Sequence, residues 1–348
     1  MDSQTAGQVS PESPGSSIPI FQVHPSGLCN LACRHCYSNS GPSVRDELEP
    51  ELVCSAIRDA AAAGYRVVSV SGGEPFMYRG LLDLLKSAKS AGMRTTVTTN
   101  GFFLQPQRLA AIRDYADLIA VSFDGRPQLH NRIRASRKAF ECLIAGVSNL
   151  RANGFNFGLI HTLTHESWED LLWIAEFAAE SGAILLQIHP LERAGRAEKA
   201  MPGKSFTTDD TNARAYLLSA ALAAKYAGRM TVQLDLLHRS EVLRNPGLIY
   251  GSPASMTTRS NPAALMRTLV LETDGTVVPV AYGFSHRYGV CNITEASIGA
   301  TLSRYMADGY PAFVSLCRDT FDQIAQDERV NLFNWHELIV ARSHRSTK

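Results

Sequence analysis

The sequence of 348 residues has almost no charge imbalance, with 34 lysines and arginines against 33 aspartates and glutamates. That lack removes the basic footprint of a nucleic-acid binder and the acidic block of a charged tail. No run of about 18 apolar residues occurs, so no membrane-spanning helix and no membrane partner are expected. The opening stretch MDSQTAGQVSPESPGSS, residues 1–17, has neither a cationic start nor an apolar core. It reads as a disordered tail rather than a signal peptide or anchor. Cysteines are few and odd in number, seven with one tight cluster, which is unlike a secreted disulfide framework. A reducing cytoplasm is the expected setting. With 45% apolar and 19% charged residues, the composition is that of a soluble globular protein. Its length allows one large domain, or one domain with an appendage.

What is present is an alternation. IPIFQVHP, residues 18–25, reads as a strand, and PELVCSAIRDAAAAG, residues 50–64, as a helix closed by glycine. YRVVSVSGGEP is a buried strand ending at Ser71, followed by the helix GLLDLLKSAKSAG. The same order returns with strands MRTTVTTNG, DLIAVSFDG, NFGLIHTLT and AILLQIHPL, separated by helical patterns. Strands alternating with helices predict right-handed βαβ crossovers and a parallel sheet. Six such units over residues 18–195 predict an α/β fold, a partial (β/α)6 TIM-like barrel with ligands at the carboxyl ends of its strands. Beyond Gly195 the rhythm changes to a helix, a strand-like MTVQLDLLH and a proline- and serine-rich stretch, residues 245–262. Then LVLETDGTVVPV offers two β-branched runs joined by Asp274-Gly275, the signal of a two-residue hairpin. Residues 196–348 are expected to form a smaller α+β region packed on the barrel.

Three of the seven cysteines, Cys29, Cys33 and Cys36, fall within eight positions in the loop after the first strand, spaced C-x3-C-x2-C. Thiolates are soft ligands that select zinc, copper(I) or iron–sulfur clusters. A structural zinc site needs a fourth ligand, and the chain has no second C-x2-C. His24 or His35 would have to fold back within a very short loop to complete it. Three cysteines on a cubane cluster instead leave one iron open to a small chelating molecule.

C-x3-C-x2-C followed by Tyr37 resembles the radical S-adenosylmethionine (SAM) superfamily. SGGEP (71–75), TTNG (98–101), SFDG with LHNRIR, AFECLIAGVSNLRANG and HPLERAGRA extend the resemblance over residues 18–200, toward the subgroup with SPASM-type C-terminal extensions. The resemblance implies one [4Fe–4S] cluster on Cys29, Cys33 and Cys36, with S-adenosylmethionine chelating the open iron. Reductive cleavage of that molecule would give a 5′-deoxyadenosyl radical that abstracts a substrate hydrogen, with the protein supplying binding and exclusion of side reactions. The implied cofactor-binding residues are Tyr37, Gly72, Gly73, Glu74, Pro75, Asn100, Ser122, Asp124 and Arg134. Gly72 and Gly73 lack Cβ atoms, so backbone groups can approach the methionyl ammonium, and Glu74 can accept a hydrogen bond from it. Arg134 suits a bidentate carboxylate contact, and Tyr37 matches the aromatic that flanks adenine. Taken alone, the glycine pair is an ordinary turn, Ser122 and Asp124 are strand-end residues, and Arg134 is a solvated charge.

The C-terminal region resembles a SPASM-type extension in outline and departs from it in its cysteines. Val280 stands where a cysteine is usual, and only Cys291 and Cys317 remain downstream, too few to hold a second cubane. One cluster per chain is therefore expected, with Cys54 and Cys142 as buried helical thiols. His161 and His189, near the ends of the fifth and sixth strands, are the candidate catalytic residues of a substrate pocket. Glu192, Arg193 and Arg196, on the loop after the sixth strand, are further candidates to orient substrate. The resemblance implies an electron donor such as flavodoxin or ferredoxin and a peptide substrate, with a small metabolite as the alternative. A non-catalytic metal-binding or partner module is the competing reading.

Overall fold

The computed structural model describes residues 18–249, 261–329 and 331–345. The 1–17 stretch and most of the proline- and serine-rich segment lie outside the described residues. Six strands, β1 (Ile20–Val23), β2 (Val67–Val70), β3 (Arg94–Thr99), β4 (Leu118–Ser122), β5 (Phe157–Leu163) and β6 (Leu185–Pro190), pair in chain order and all in parallel. Several, such as VVSV in β2 and LIAVS in β4, are mostly apolar, as strands of a covered parallel sheet are, while β3 (RTTVTT) is threonine-rich and buries alternate residues. Between them run α1 (Pro50–Ala62), α2 (Leu81–Ser90), α3 (Pro106–Ile112), α4 (Pro127–Ile133), α5 (Ala139–Ala152) and α6 (Leu171–Ser181). Three of these open on a proline in the first turn, where its missing N–H leaves no helical bond unmade. This is the α/β partial barrel that the alternation predicts.

After α7 (Ala197–Ala200) and α8 (Asp209–Lys225), β7 (Thr231–Leu234) joins β6 in parallel and β8 (Leu237–His238) leaves the sheet. Two short helices follow, α9 (Arg239–Arg244) and α10 (Pro262–Leu265), and then β9 (Thr268–Leu271) pairs in parallel with β1. β10 (Thr276–Pro279) and β11 (Cys291–Asn292) complete a ten-stranded sheet of order β11-β10-β9-β1-β2-β3-β4-β5-β6-β7. The chain ends in α11 (Ile298–Asp308), α12 (Tyr310–Gln326), β12 (Leu332–Phe333), which pairs with β8, and α13 (Trp335–Ser343). Strands on both sides of residue 195 thus share one sheet. They share one apolar core as well, in which Phe21, Leu84, Leu271 and Ile339 are fully buried. Tyr65 ties the two regions with a buried hydrogen bond to the Met266 carbonyl, 2.7 Å.

The β9–β10 hairpin forms, with one residue more in its turn than Asp274-Gly275 alone suggests. Glu272 N–H donates to Thr276 O (2.9 Å) and Gly275 N–H to Glu272 O (3.0 Å), enclosing residues 273–275 with Gly275 at φ 89°. A left-handed glycine after a tight turn is the bulged form that keeps the strand twist. Val280, next after β10, has φ 72°, uncommon for a β-branched residue. Because β1–β6 run in parallel, residues 24, 72–74, 100, 124, 164 and 192 all leave the sheet at one rim.

Candidate functional site

The cysteine loop lies on that rim and is pinned to the end of β2. Gly73 N–H donates to Ser26 O (2.8 Å) and Glu74 N–H to Leu28 O (2.9 Å). A Cβ on Gly73 would sit 2.0 Å from Leu28 O, and one on Gly72 (φ 106°) 2.7 Å from Ser26 O. The space where these two glycines lack a side chain is therefore filled by the cysteine loop's own backbone. Across the loop, Cys29 N–H reaches Gly41 O at 3.2 Å.

Cys29, Cys33 and Cys36 are free thiols, the first two buried and the third half-buried. Each sulfur faces a donor. Leu31 N–H and Asn100 Nδ2 approach Cys29 Sγ at 3.5 and 3.7 Å, Arg134 Nη1 approaches Cys33 Sγ at 3.8 Å, and Ser38 Oγ lies 3.4 Å from Cys36 Sγ. Burial pushes the Cys29 thiol up to about 12, and raises Cys33 against the opposing charge of Arg134. Such thiols ionise when a metal takes the place of their protons. Three soft sulfurs, ringed by N–H and O–H groups that favour thiolate, fit a cluster held by three cysteines. Neither histidine that a zinc site would recruit is committed to it. His35 Nε2 lies 3.3 Å from Asp124 Oδ1. His24 is buried between the rings of Tyr37 and Tyr282, centroids 6.0 and 4.7 Å away, with neither nitrogen partnered among the described residues.

The residues expected to hold S-adenosylmethionine gather at the same rim, and several are already engaged with one another. Glu74 is buried; its Oε1 accepts from Thr99 Oγ1 (2.7 Å) and Phe76 N–H (3.2 Å), and its Oε2 from Asn100 N–H (2.9 Å). Burial raises its carboxyl and these donors oppose the rise. Pro75 is buried at the start of a short 3-10 turn. Asn100 gives Nδ2 to Asn30 Oδ1 at 2.8 Å. Asp124 is fully buried and takes Arg134 Nε at 2.6 Å and Nη2 at 3.2 Å. Burial alone would raise its carboxyl, but Arg134, His35 and His130 hold it well below the usual range. Ser122 is half-buried at the end of β4, and the Tyr37 ring lies edge-on to Tyr282, centroids 5.7 Å apart.

The two candidate histidines differ. His161 is fully buried, with Nδ1 3.0 Å from Phe123 O and Nε2 3.1 Å from Ser167 Oγ, so both ring nitrogens are satisfied inside the fold. His189 Nδ1 pairs closely with Asp235, at the end of β7, and its Nε2 has no partner among the described residues. Burial lowers the His189 imidazole, but the Asp235 carboxylate outweighs it and the net direction is upward. Glu192 accepts from Asn334 Nδ2 at 2.8 Å, and burial raises it, with Glu337 adding to the rise. Arg193 stacks on Phe206, 3.9 Å from the ring centroid, and Arg196 turns to the cysteine loop. Tyr282 and Asp235 have no motif to mark them; each becomes visible only through a neighbour distant in sequence. Cys54 and Cys317 are buried in α1 and α12, while Cys142 and Cys291 are half-buried.

Residues 23–178 match the radical SAM superfamily. They form a radical SAM domain. The chain is 30% identical over 183 residues to an Fe-coproporphyrin III synthase of Methanosarcina barkeri, covering 52% of this chain and 46% of that one. It is 31% identical over 177 residues to a PqqA peptide cyclase of Ruegeria pomeroyi, covering 49% and 46%. These matches span about half the length of the curated relatives. Among solved structures, anSMEcpe with bound AdoMet and a peptide superposes with a TM-score of 0.63 at 15% identity, covering 86% and 82%. Streptococcus suis SuiB bound to precursor peptide SuiA gives 0.59 at 17%, covering 76% and 60%. At such identities the likeness is one of fold.

Proposed function

We propose that the chain is a radical SAM enzyme that holds one [4Fe–4S] cluster on Cys29, Cys33 and Cys36 and modifies a peptide. The observation that carries this reading is the arrangement of three free thiols in one rim loop, each facing an N–H or O–H donor. When bound, the cluster and S-adenosylmethionine supply a reductive cleavage that yields a hydrogen-abstracting 5′-deoxyadenosyl radical. This chain's own residues do the rest. Gly72 and Gly73 seat the loop, and Glu74 fixes the ends of β2 and β3 beside it. Asn100, Ser122, Asp124, Arg134 and Tyr37 line the place for the nucleoside and methionyl groups. Residues 18–195 carry this cofactor end, and residues 196–348 close the substrate end, where His189 offers Nε2 to substrate while Asp235 holds its ring.

A single cluster is favoured because Cys291 and Cys317 are the only cysteines after Cys142, and Cys317 is sealed inside α12. The peptide reading is supported by similarity to the PqqA peptide cyclase. A small-molecule reading is supported by similarity to the Fe-coproporphyrin III synthase. The electron donor is proposed to be a flavodoxin or ferredoxin. No helix among the described residues is long and apolar enough to cross a membrane.

The test is anaerobic reconstitution with iron and sulfide, followed by assay of iron and of 5′-deoxyadenosine under a strong reductant. One cubane requires about four irons per chain. About eight irons would overturn the single-cluster reading, and zinc without iron the whole reading. Deoxyadenosine production accelerated by candidate peptides, against tetrapyrroles, separates the two substrate classes.

A further inference from the structure

The loop between β6 and α7 is joined to the cysteine loop by more polar contacts than either needs for its own turn. Arg196 N–H donates to Cys36 O at 2.8 Å, and its guanidinium donates through Nη1 to Cys33 O (2.7 Å) and through Nη2 to Asn39 O (3.0 Å) and Ser40 O (2.7 Å). One residue therefore takes the carbonyls of two candidate cluster cysteines and two more from the segment that follows. Gly195, at φ 56°, makes the approach possible, since a Cβ there would lie 2.1 Å from Tyr37 O and 2.6 Å from Cys36 O. The clasp is reciprocal: Arg34, between Cys33 and Cys36 in the chain, gives Nε and Nη2 to Ala200 O at 3.2 and 2.8 Å. On its far side the β6–α7 loop is held by the C-terminal region, through Asn334 to Glu192 and Arg193 N–H to Glu337.

We propose that Arg196 is a positioning residue for the cluster, fixing the backbone that carries Cys33 and Cys36. The inference rests on the radical SAM reading above. Four carbonyl dipoles turned toward one another would repel, and a planar guanidinium with a fixed fork of donors gathers three of them as no flexible ammonium can. With those carbonyls fixed, the Cα–Cβ directions of Cys33 and Cys36 are set before iron arrives. Among the described residues Arg196 makes no hydrogen bond to a cysteine sulfur, and it acts through the backbone of the ligands.

The experiment compares anaerobically reconstituted wild type with Arg196→Ala, Arg196→Lys and a control on the same loop, Arg193→Ala. Two quantities are read: the rate at which an iron(II) chelator strips the reduced cluster, and the electron paramagnetic resonance spectrum of that cluster. Loss of a ligand-orienting partner typically weakens metal holding by about 10–100-fold, and stripping of Arg196→Ala is expected to accelerate on that scale with an altered spectrum. Arg196→Lys is expected to fall between, and Arg193→Ala to match wild type. Should the alanine variant fail to fold, the lysine variant decides. A folded alanine or lysine variant with wild-type stripping and spectrum overturns the proposal. Absence of any iron–sulfur cluster from wild type would instead remove the radical SAM reading itself, a separate failure.

Discussion

Arg134 places Nε 2.6 Å and Nη2 3.2 Å from the two carboxylate oxygens of Asp124, while its third nitrogen, Nη1, lies 3.8 Å from the Cys33 sulfur. A guanidinium that would otherwise have to be ordered by a ligand is thus set in place beforehand by a buried carboxylate.

Removing that carboxylate's charge leaves Arg134 without compensation. Breaking one side of a buried ion pair costs about 3–5 kcal/mol, and Asp124→Asn is expected to destabilise the metal-free chain on that scale. Arg132→Ala breaks an exposed pair with Glu166 and is expected to cost less than about 1 kcal/mol. Urea midpoints of the two variants check this; equal shifts would show that burial does not set the cost.

Cys33→Ala is expected to abolish both cluster retention and deoxyadenosine formation. Cys317→Ala should leave iron per chain unchanged, since that thiol is fully buried within α12, outside the cysteine loop. Iron assay of both variants after gel filtration is decisive, and iron loss from the Cys317 variant would contradict the single cluster.

Gly73→Ala drives a Cβ into Leu28 O at 2.0 Å, so the cysteine loop must lift from β2. Cluster retention is expected to fall steeply while helix content stays the same. Gly92→Ala, with φ 74° and open space for the methyl, meets backbone strain alone and is expected to keep its iron, at a cost of about 1–2 kcal/mol. Circular dichroism and iron content, measured together, separate these outcomes.

Three buried histidines predict sensitivity to acid. Burial lowers His24 to about 3 and His130 and His161 to about 4, against 6.5 for an unperturbed imidazole. Below pH 6.5 the unfolded chain therefore binds protons that the folded chain refuses, and stability falls as pH drops toward 4. The slope is up to about 1.4 kcal/mol per pH unit for each histidine. In a pH series of urea midpoints, His161→Gln should flatten that slope; an unchanged slope would show that His161 titrates alike in both states.

The barrel is legible in the sequence because the βα units carry local signals: apolar runs in several strands, a proline in the first turn of α1, α3 and α4, and a glycine after α1, α2, α5 and α6. The strand order beyond β6 is not. That β9 lies against β1 and β7 against β6 depends on partners remote along the chain, which no local pattern records. The three thiols stand out by spacing, and the glycine pair by its position after β2. The folded chain adds a reason the sequence does not record, since the space beside the glycines admits the cysteine loop. His161 reads as a pocket residue from its strand position, but its ring turns inward to Phe123 O and Ser167. Arg196 reads as a charge for substrate, and only the folded loop reveals the carbonyls it gathers.

The pairing of β9 with β1 and of β7 with β6 has a consequence for the chain's history in the cell. A barrel lacking its C-terminal third would present two bare strand flanks, each with unpaired N–H and C=O groups ready to recruit a neighbouring molecule. Until synthesis passes residue 271, one of those flanks has no partner of its own. The later residues move the open edges from β1 and β6 to the short strands β11 and β7, and a nascent or clipped chain is the form most in need of a chaperone.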